Sequence, residues 1–206
     1  MMYTKTLPGN TESVLKKLSG SKIIDDFYLT GGTALSLQIG HRESQDLDFF
    51  SKESFQPEKI QIELKKLSSL ESIELSSGTL NCFLDNVKLQ FLYYPYILLE
   101  KEIEWENVHI SSKIDIACTK LITISARGSK KDFIDLYYLL KEFTLSDLFE
   151  KLAQKYPNVN YNETHILKSL VYFADADEQP TPRMQKEIDW QQIKEVIIKN
   201  TKNFKL

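Results

Sequence analysis

The sequence has few of the features that crosslink a chain or anchor it in a membrane. Among its 206 residues are two cysteines, Cys82 and Cys118, both in apolar surroundings and without the spacing of a metal site. We expect both to be reduced core residues. No segment approaches the roughly 20 apolar residues that span a bilayer, and the N-terminus has no charged-then-apolar signal segment. These absences predict a cytoplasmic protein with no membrane contact.

Neither sign of charge is in large excess, since the formal net charge is −3. With 42% hydrophobic and 27% charged residues the composition is that of an ordinary globular protein, and disorder is not expected. The small net charge argues against a protein that coats nucleic acid indiscriminately. One segment differs, because residues 111–131 hold five cations and one acid. This basic strip either guides an RNA backbone or serves only a triphosphate.

Glycine is rare as well, but two of the seven glycines are adjacent and begin the most informative stretch. A predicted strand leads into Gly31-Gly32 and a short helix, and Asp46 and Asp48 follow on the next strand after an interval of thirteen residues. Glycines at such a junction let backbone N–H groups approach an anion, and the helix adds its positive dipole end. Two acids two residues apart on a strand offer oxygen ligands to Mg²⁺. Each feature alone is more often a tight turn or a solvated strand face, but together they predict chemistry on a nucleoside triphosphate.

The loop before these acids contains His41 and Arg42. Arg42 has two interpretations of about equal weight: a salt bridge that neutralises Asp46 or Asp48, or a contact to phosphate. His41 is interpreted as a hydrogen-bonding loop residue rather than a general base.

A second group of charged residues lies on two consecutive predicted helices. Lys120 and Arg127 are seven residues apart on the first helix, so both can face one site. In isolation Lys120 would be a lysine with a buried stem and a solvated head. Asp132 has the third position of a capping box that opens the second helix. Asp135 lies in an apolar stripe and needs a partner. Lys120 or Arg127 can supply it, as a structural ion pair or as an acid and a base beside a nucleotide.

The order of the predicted elements divides the chain at about residue 110. Residues 1–110 predict helices around a sheet extended by antiparallel hairpins, with strands at 73–75, 79–84 and 87–93. Residues 111–206 predict the two helices above and three more that form a bundle. The acidic run at 175–178 is interpreted as a solvated loop.

Four segments resemble the AbiEii/AbiGii toxin-type nucleotidyltransferases, within the DNA polymerase β-type superfamily. They are GGTALSLQIGHRESQDLDFF at 31–50, DIACTK at 115–120, RGSKKDFIDLY at 127–137, and YFADAD at 172–177 with the later Trp190. The resemblance covers the chain from about Phe27 to Trp190. It implies an α+β fold, in which a mixed, mostly antiparallel sheet flanked by helices forms the nucleotidyltransferase core and a helical bundle follows.

The resemblance also implies an activity. Such proteins transfer NMP from an NTP, as the toxin of a bacterial toxin–antitoxin or phage-defence pair, and tRNA is the acceptor of some members. A cognate antitoxin is then an expected partner. By motif position Asp46 and Asp48 hold Mg²⁺ or Mn²⁺, Lys120 binds the triphosphate, and Asp135 is the catalytic acid or base, with Asp48 also essential. The further nucleotide contacts implied are Gly31, Gly32, Thr33, Arg42, Arg127 and Lys131.

The sequence departs from the superfamily at one position. A third metal-binding carboxylate usually projects from a strand in the region of 87–93, but the best-placed polar residue there is Gln90, and Asp85 falls in a turn. Two other functions therefore stay open. One is a catalytically silent module that binds a nucleotide or an antitoxin, which Gln90 favours. The other is a nucleotidyltransferase that modifies a small molecule such as an antibiotic.

Overall fold

The computed structural model describes residues 2–205, in two compact units that meet in the sequence between Ser112 and Lys113. The N-terminal unit contains a short 3-10 turn at Thr4–Thr6 and an α+β arrangement. In chain order its elements are α1 (Gly9–Ser19), β1 (Tyr28–Thr30), α2 (Gly31–Ile39), β2 (Leu47–Ser51), α3 (Pro57–Leu67), β3 (Leu70–Ser76), β4 (Thr79–Leu84), β5 (Val87–Tyr93), β6 (Ile103–Trp105) and β7 (Val108–Ile110).

The strands of this unit form one seven-stranded sheet with the order β3-β4-β5-β2-β1-β7-β6. Four neighbouring pairs are antiparallel, and the β1–β7 and β2–β5 pairs are parallel. Two hairpin turns have positive φ at both central residues, 49° and 63° at Asp85-Asn86 and 48° and 62° at Glu106-Asn107. This conformation matches the twist of the flanking strands, and Asn and Asp adopt it most readily among non-glycine residues. The predicted α+β class with a mixed, mostly antiparallel sheet is thus confirmed.

One face of the central strands forms the core of this unit. Leu47 and Phe49 of β2 and Leu89 and Phe91 of β5 are fully buried, and the Phe49 and Phe91 rings stack with centroids 5.3 Å apart. Helix α3 packs against β3 and β4, and α1 packs against β5. Because side chains alternate along a strand, the residues between these apolar positions point to the opposite face. Asp48 and Gln90 are two of them.

The C-terminal unit is helical. Its elements are α4 (Lys113–Ala126), α5 (Lys130–Leu139), α6 (Leu145–Lys155), α7 (Glu163–Leu170), α8 (Ala174–Asp177) and α9 (Trp190–Asn203). Helix α4 is central and packs against α5, α6 and α7, while α5 packs against α8 and α9. An aromatic cluster joins these helices, with the Phe133 ring centroid 4.8 Å from that of Phe173 and 6.2 Å from that of Trp190. Within residues 2–205, no helix has both the length and the apolar character needed to cross a bilayer.

The local structure differs from the sequence-based expectations in two places. The short strands β6 and β7 were not predicted, although β7 joins the sheet through its parallel pairing with β1. The three acids of the run at 175–178 are exposed as expected, but the run is not a loop, because residues 175–177 belong to the one-turn helix α8. Asp177 accepts hydrogen bonds there from the Trp190 indole N–H at 2.6 Å and the Lys194 ammonium at 3.0 Å.

Candidate active site

The glycine turn and Asp48 lie together at the end of the two central strands. Antiparallel pairing of β1 and β2 places Thr30 opposite Asp48, and the chain turns at Gly31 with φ +69°. A Cβ atom on Gly31 would lie 2.5 Å from Asp48 Oδ2, so the carboxylate rests directly against the glycine backbone. A Cβ on Gly32 would collide with the Arg42 guanidinium. At both positions a Cβ would thus displace a charged side chain from its place against the backbone.

Asp46 is held in place through its backbone by the first turn of α2. The Thr33 hydroxyl donates to the Asp46 carbonyl oxygen and lies 2.8 Å from the Ser44 hydroxyl. Thr30 is the residue just before α2. Its hydroxyl accepts a hydrogen bond from the Ser111 hydroxyl at 2.8 Å and does not cap α2. Thr33, expected as a nucleotide contact, thus positions the loop that carries Asp46.

Arg42 is 3% exposed, and its guanidinium donates to the Glu43 carbonyl oxygen at 2.9 Å. Its contact with Gly32 keeps its positive charge beside the glycine turn. This position is compatible with both interpretations of Arg42, because one guanidinium has five N–H donors.

The position expected for a third carboxylate lies directly beside Asp48. The parallel register of β2 and β5 pairs Asp48 with Gln90, and the antiparallel register of β4 and β5 pairs Gln90 with Asn81. Asp85 lies in the predicted turn, where it forms a 2.6 Å ion pair with Lys17. That contact and a hydrogen bond from Ser68 lower the pKa of Asp85. Among residues 2–205, no three His, Cys, Asp or Glu side chains converge as a metal site.

Lys120 of the C-terminal unit is held between two buried carboxylates. Its ammonium lies 2.7 Å from Asp132 Oδ1 and 2.6 Å from Asp135 Oδ2, with the lysine side chain 8% exposed and both acids fully buried. The expected ion pair between Lys120 and Asp135 is therefore present. The solvated lysine head expected from Lys120 in isolation is not.

Asp132 is the residue that sequence reasoning missed. The Ser129 hydroxyl donates to the Asp132 carboxylate and does not cap α5, so the expected capping box is absent. Arg127 approaches the same carboxylate at 3.6 Å and is 68% exposed. The available signal was the spacing of Asp132 and Asp135, three residues apart on one helix, which places two acids on the same face.

The basic strip is largely engaged within its own unit. Lys113 pairs with Glu142, and Lys120 pairs with Asp132 and Asp135. The Lys130 ammonium donates to the Gln179 carbonyl oxygen and lies over the Trp190 ring. Arg127 and Lys131 are the strip residues with exposed side chains. A second buried ion pair, between Asp115 and Lys155 at 2.6 Å, joins α4 to α6.

Comparison with known proteins decides the family. The chain matches the family of the nucleotidyl transferase AbiEii toxin, from type IV toxin–antitoxin systems, over residues 13–79 and 85–204. The chain belongs to the AbiEii toxin family. It is therefore a nucleotidyltransferase, and the matched residues include the glycine turn, Asp46, Asp48 and the buried group of Lys120, Asp132 and Asp135.

Relatives of this AbiEii-family protein cover almost the whole chain. The uncharacterised protein aq_aa25 of Aquifex aeolicus (strain VF5) is 36% identical over 208 residues, which are 97% of this chain and 98% of the relative. The crystal structure of a candidate nucleotidyltransferase from H. pylori has a TM-score of 0.57 at 16% identity, covering 94% of this chain and 90% of that chain. JHP933 from Helicobacter pylori has a TM-score of 0.53 at 18% identity, covering 98% and 92%. These structures confirm the fold.

Proposed function

We propose that this AbiEii-family enzyme transfers NMP from an NTP to an RNA acceptor, with tRNA as the first candidate, and that Asp46 and Asp48 hold the Mg²⁺ or Mn²⁺ it uses. One observation carries the proposal: the Asp48 carboxylate rests against the Gly31 backbone at the N-terminus of α2. The Asp48 carboxylate can bind a cation, and the backbone N–H groups of the glycine turn can bind an anion. A metal-bound triphosphate needs both kinds of group close together, as they are here.

The donor set fits a cation that is shared with substrate. Mg²⁺ is commonly held by one or two carboxylates plus phosphate oxygens and water, rather than by an all-protein cage. Asp46 and Asp48 are both half-buried, so a ligand can reach them from solvent. When bound, the ion supplies charge neutralisation for the triphosphate and acidifies an attacking hydroxyl.

The remaining roles are proposed from motif position and from the contacts of each residue. The N–H groups of Gly31 and Gly32 bind phosphate oxygens, and Arg42 adds a positive charge next to them. Lys120 binds the triphosphate and Asp135 moves the proton of the acceptor hydroxyl. The buried ion pairs of Lys120 with Asp132 and Asp135 hold these groups in fixed positions.

Arg127 and Lys131 are proposed to contact phosphate groups of the NTP or of the RNA, since both side chains are exposed. As a member of a toxin–antitoxin family, the protein is also proposed to have an antitoxin partner. A catalytically silent module remains the second candidate, because Gln90 stands where a third carboxylate is expected.

The test is a transfer assay with each of the four labelled NTPs against total tRNA, the neighbouring gene product and aminoglycosides. Wild-type protein is expected to label tRNA in the presence of Mg²⁺, and Asp48→Ala to lose at least about 10²-fold of that rate, because one charged group is typically worth 10²- to 10³-fold. Asp85→Ala is the matched control, since Asp85 is an acid of the same unit in a hairpin turn.

Each other outcome has a defined meaning. Normal transfer by Asp48→Ala contradicts the metal assignment. Mg²⁺-dependent NTP binding without transfer identifies the silent module. Labelling of the neighbouring gene product or of an aminoglycoside would show that this molecule, and not RNA, is the acceptor.

A further inference from the structure

Gln90 lies in a row of polar side chains on one face of the sheet. The strand registers place Thr30, Asp48, Gln90 and Asn81 side by side on β1, β2, β5 and β4. Neighbouring strands are only about 4.8 Å apart, so the side chains of adjacent residues in such a row meet. The flanking residues on β5, Leu89 and Phe91, are fully buried on the other face, so Gln90 projects on the same side as Asp48.

The Gln90 amide is oriented by its other neighbour. Its Nε2 atom donates to Asn81 Oδ1 at 3.0 Å. Asn81 belongs to β4 and Asp48 to β2, and these strands lie on opposite sides of β5. Because the nitrogen and oxygen of one amide point in different directions from the amide carbon, the donor turned toward β4 leaves the carbonyl oxygen turned away from β4 and able to face β2.

We propose that Gln90 offers its carbonyl oxygen beside Asp48 as a neutral third ligand for the divalent cation, and that Asn81 is the positioning residue that fixes this orientation. The inference rests on the proposed metal-binding role of Asp46 and Asp48. Amide oxygens are accepted ligands of hard cations. A neutral oxygen leaves two protein charges at the site instead of three, so the free cation binds weakly and is recruited mainly together with the NTP phosphates.

The first test converts the neutral ligand into a charged one. In Gln90→Glu a third carboxylate stands directly beside Asp48, and like charges on adjacent strands repel each other. We expect this variant to melt below wild type in EDTA and to show a larger rise in Tm on addition of Mn²⁺, since a cation removes the repulsion and gains a charged ligand. Thr79→Glu is the matched control, because it adds one acid to the same sheet face on β4, away from Asp48.

A Mn²⁺-dependent rise in Tm of Gln90→Glu that equals those of wild type and Thr79→Glu overturns the proposal. If Gln90→Glu fails to fold in EDTA but folds with Mn²⁺, the proposal is supported. If it folds in neither condition, the second test decides.

The second test measures Mn²⁺ affinity by electron paramagnetic resonance of the free ion, with a non-hydrolysable NTP analogue present. Loss of groups that supply or orient ligands typically weakens metal binding 10- to 100-fold. Gln90→Leu and Asn81→Leu are therefore each expected to bind Mn²⁺ at least about 10-fold more weakly. Asn81→Asp is expected to keep the wild-type affinity, because a carboxylate still accepts the Gln90 N–H.

Wild-type affinity in Gln90→Leu overturns the ligand assignment. Wild-type affinity in Asn81→Leu overturns the positioning role of Asn81. Asp48→Ala separates this inference from the proposed function. If Asp48→Ala binds Mn²⁺ like wild type, the metal site itself is wrong, whereas loss in Asp48→Ala with no change in Gln90→Leu removes only the role of Gln90.

Discussion

Gly31 combines a backbone conformation and a close contact that both disfavour a side chain. Its φ is +69°, and a Cβ would lie 2.5 Å from Asp48 Oδ2. We expect Gly31→Ala to displace the Asp48 carboxylate and to lower the rate of NMP transfer at least about 10²-fold, as for loss of a charged group. The backbone strain adds a loss of unfolding free energy of roughly 1 kcal/mol or more.

Steady-state transfer and urea unfolding measure these two effects. Gly9→Ala is the matched control, because a Cβ at Gly9 meets nothing within 4 Å. It is expected to leave both quantities near wild type. A Gly31→Ala enzyme with wild-type turnover would show that Asp48 need not rest against the turn.

Lys120 is the charge on which two buried carboxylates depend. In Lys120→Ala, Asp132 and Asp135 lose their common cation while both remain fully buried. Removing one partner of a buried ion pair typically costs about 3–5 kcal/mol, because the other charge is left uncompensated. Urea denaturation is expected to show a loss of that size. The exposed pair of Lys66 with Glu63 provides the control, since Lys66→Ala is expected to cost less than about 1 kcal/mol. Equal losses in the two variants would contradict the prediction.

At the scale of elements, α8 and α9 are joined by a carboxylate that must be ionised. The Trp190 indole and the Lys194 ammonium both donate to Asp177 and lower its pKa below the usual value. A carboxyl group with a lowered folded-state pKa contributes stability above its unfolded pKa, near 4, and this contribution decreases as the pH falls toward the folded pKa. We expect the Tm difference between wild type and Asp177→Asn to be largest near neutral pH and to shrink below about pH 4.

Thermal unfolding between about pH 3 and pH 7 tests this link. Asp175→Asn, on the same one-turn helix, controls for the loss of a negative charge. A Tm difference for Asp177→Asn that is independent of pH would show that the ionised carboxylate is not what joins these helices.

The elements differ in how far they can be predicted from sequence. Strands β4 and β5 have the predicted bounds, because the buried residues of each strand alternate with more exposed ones and Asp85-Asn86 marks the turn between them. Strands β6 and β7 were not predicted, because each has only three residues and the segment is rich in glutamate, which is uncommon in strands. Their signal was the Glu106-Asn107 turn. Parallel pairing of β7 with β1 is a long-range choice that local patterns do not encode.

The residues of the candidate site also differ in how far they can be predicted from sequence. The glycine turn and the Asp-x-Asp pattern are local, so spacing alone indicates them. The contact of Asp132 with Lys120 depends on how α5 packs against α4, and the spacing of Ser129 and Asp132 supported a capping box equally well. The Gln90 neighbourhood required the register of three strands.

At the scale of the whole molecule, the distribution of charge limits how the protein can bind RNA. The chain has a net charge of −3, and four of the five cations in residues 111–131 contact acids or a carbonyl oxygen of their own unit, although Arg127 does so with an exposed side chain. Arg127 and Lys131 remain exposed. About two phosphate contacts correspond to a slope of log K against log salt concentration of roughly −1.4 to −1.8.

We therefore expect tRNA binding, followed by fluorescence anisotropy over a series of KCl concentrations, to show a shallow slope of this size. The double variant Arg127→Gln/Lys131→Gln is expected to reduce the slope to near zero, since each lost phosphate contact removes about 0.7 to 0.9. Lys59→Gln/Lys65→Gln removes the same charge from exposed positions of α3 and is expected to leave the slope unchanged. A steep slope in wild type, or equal slopes in the two double variants, would mean that RNA binds through cations other than Arg127 and Lys131.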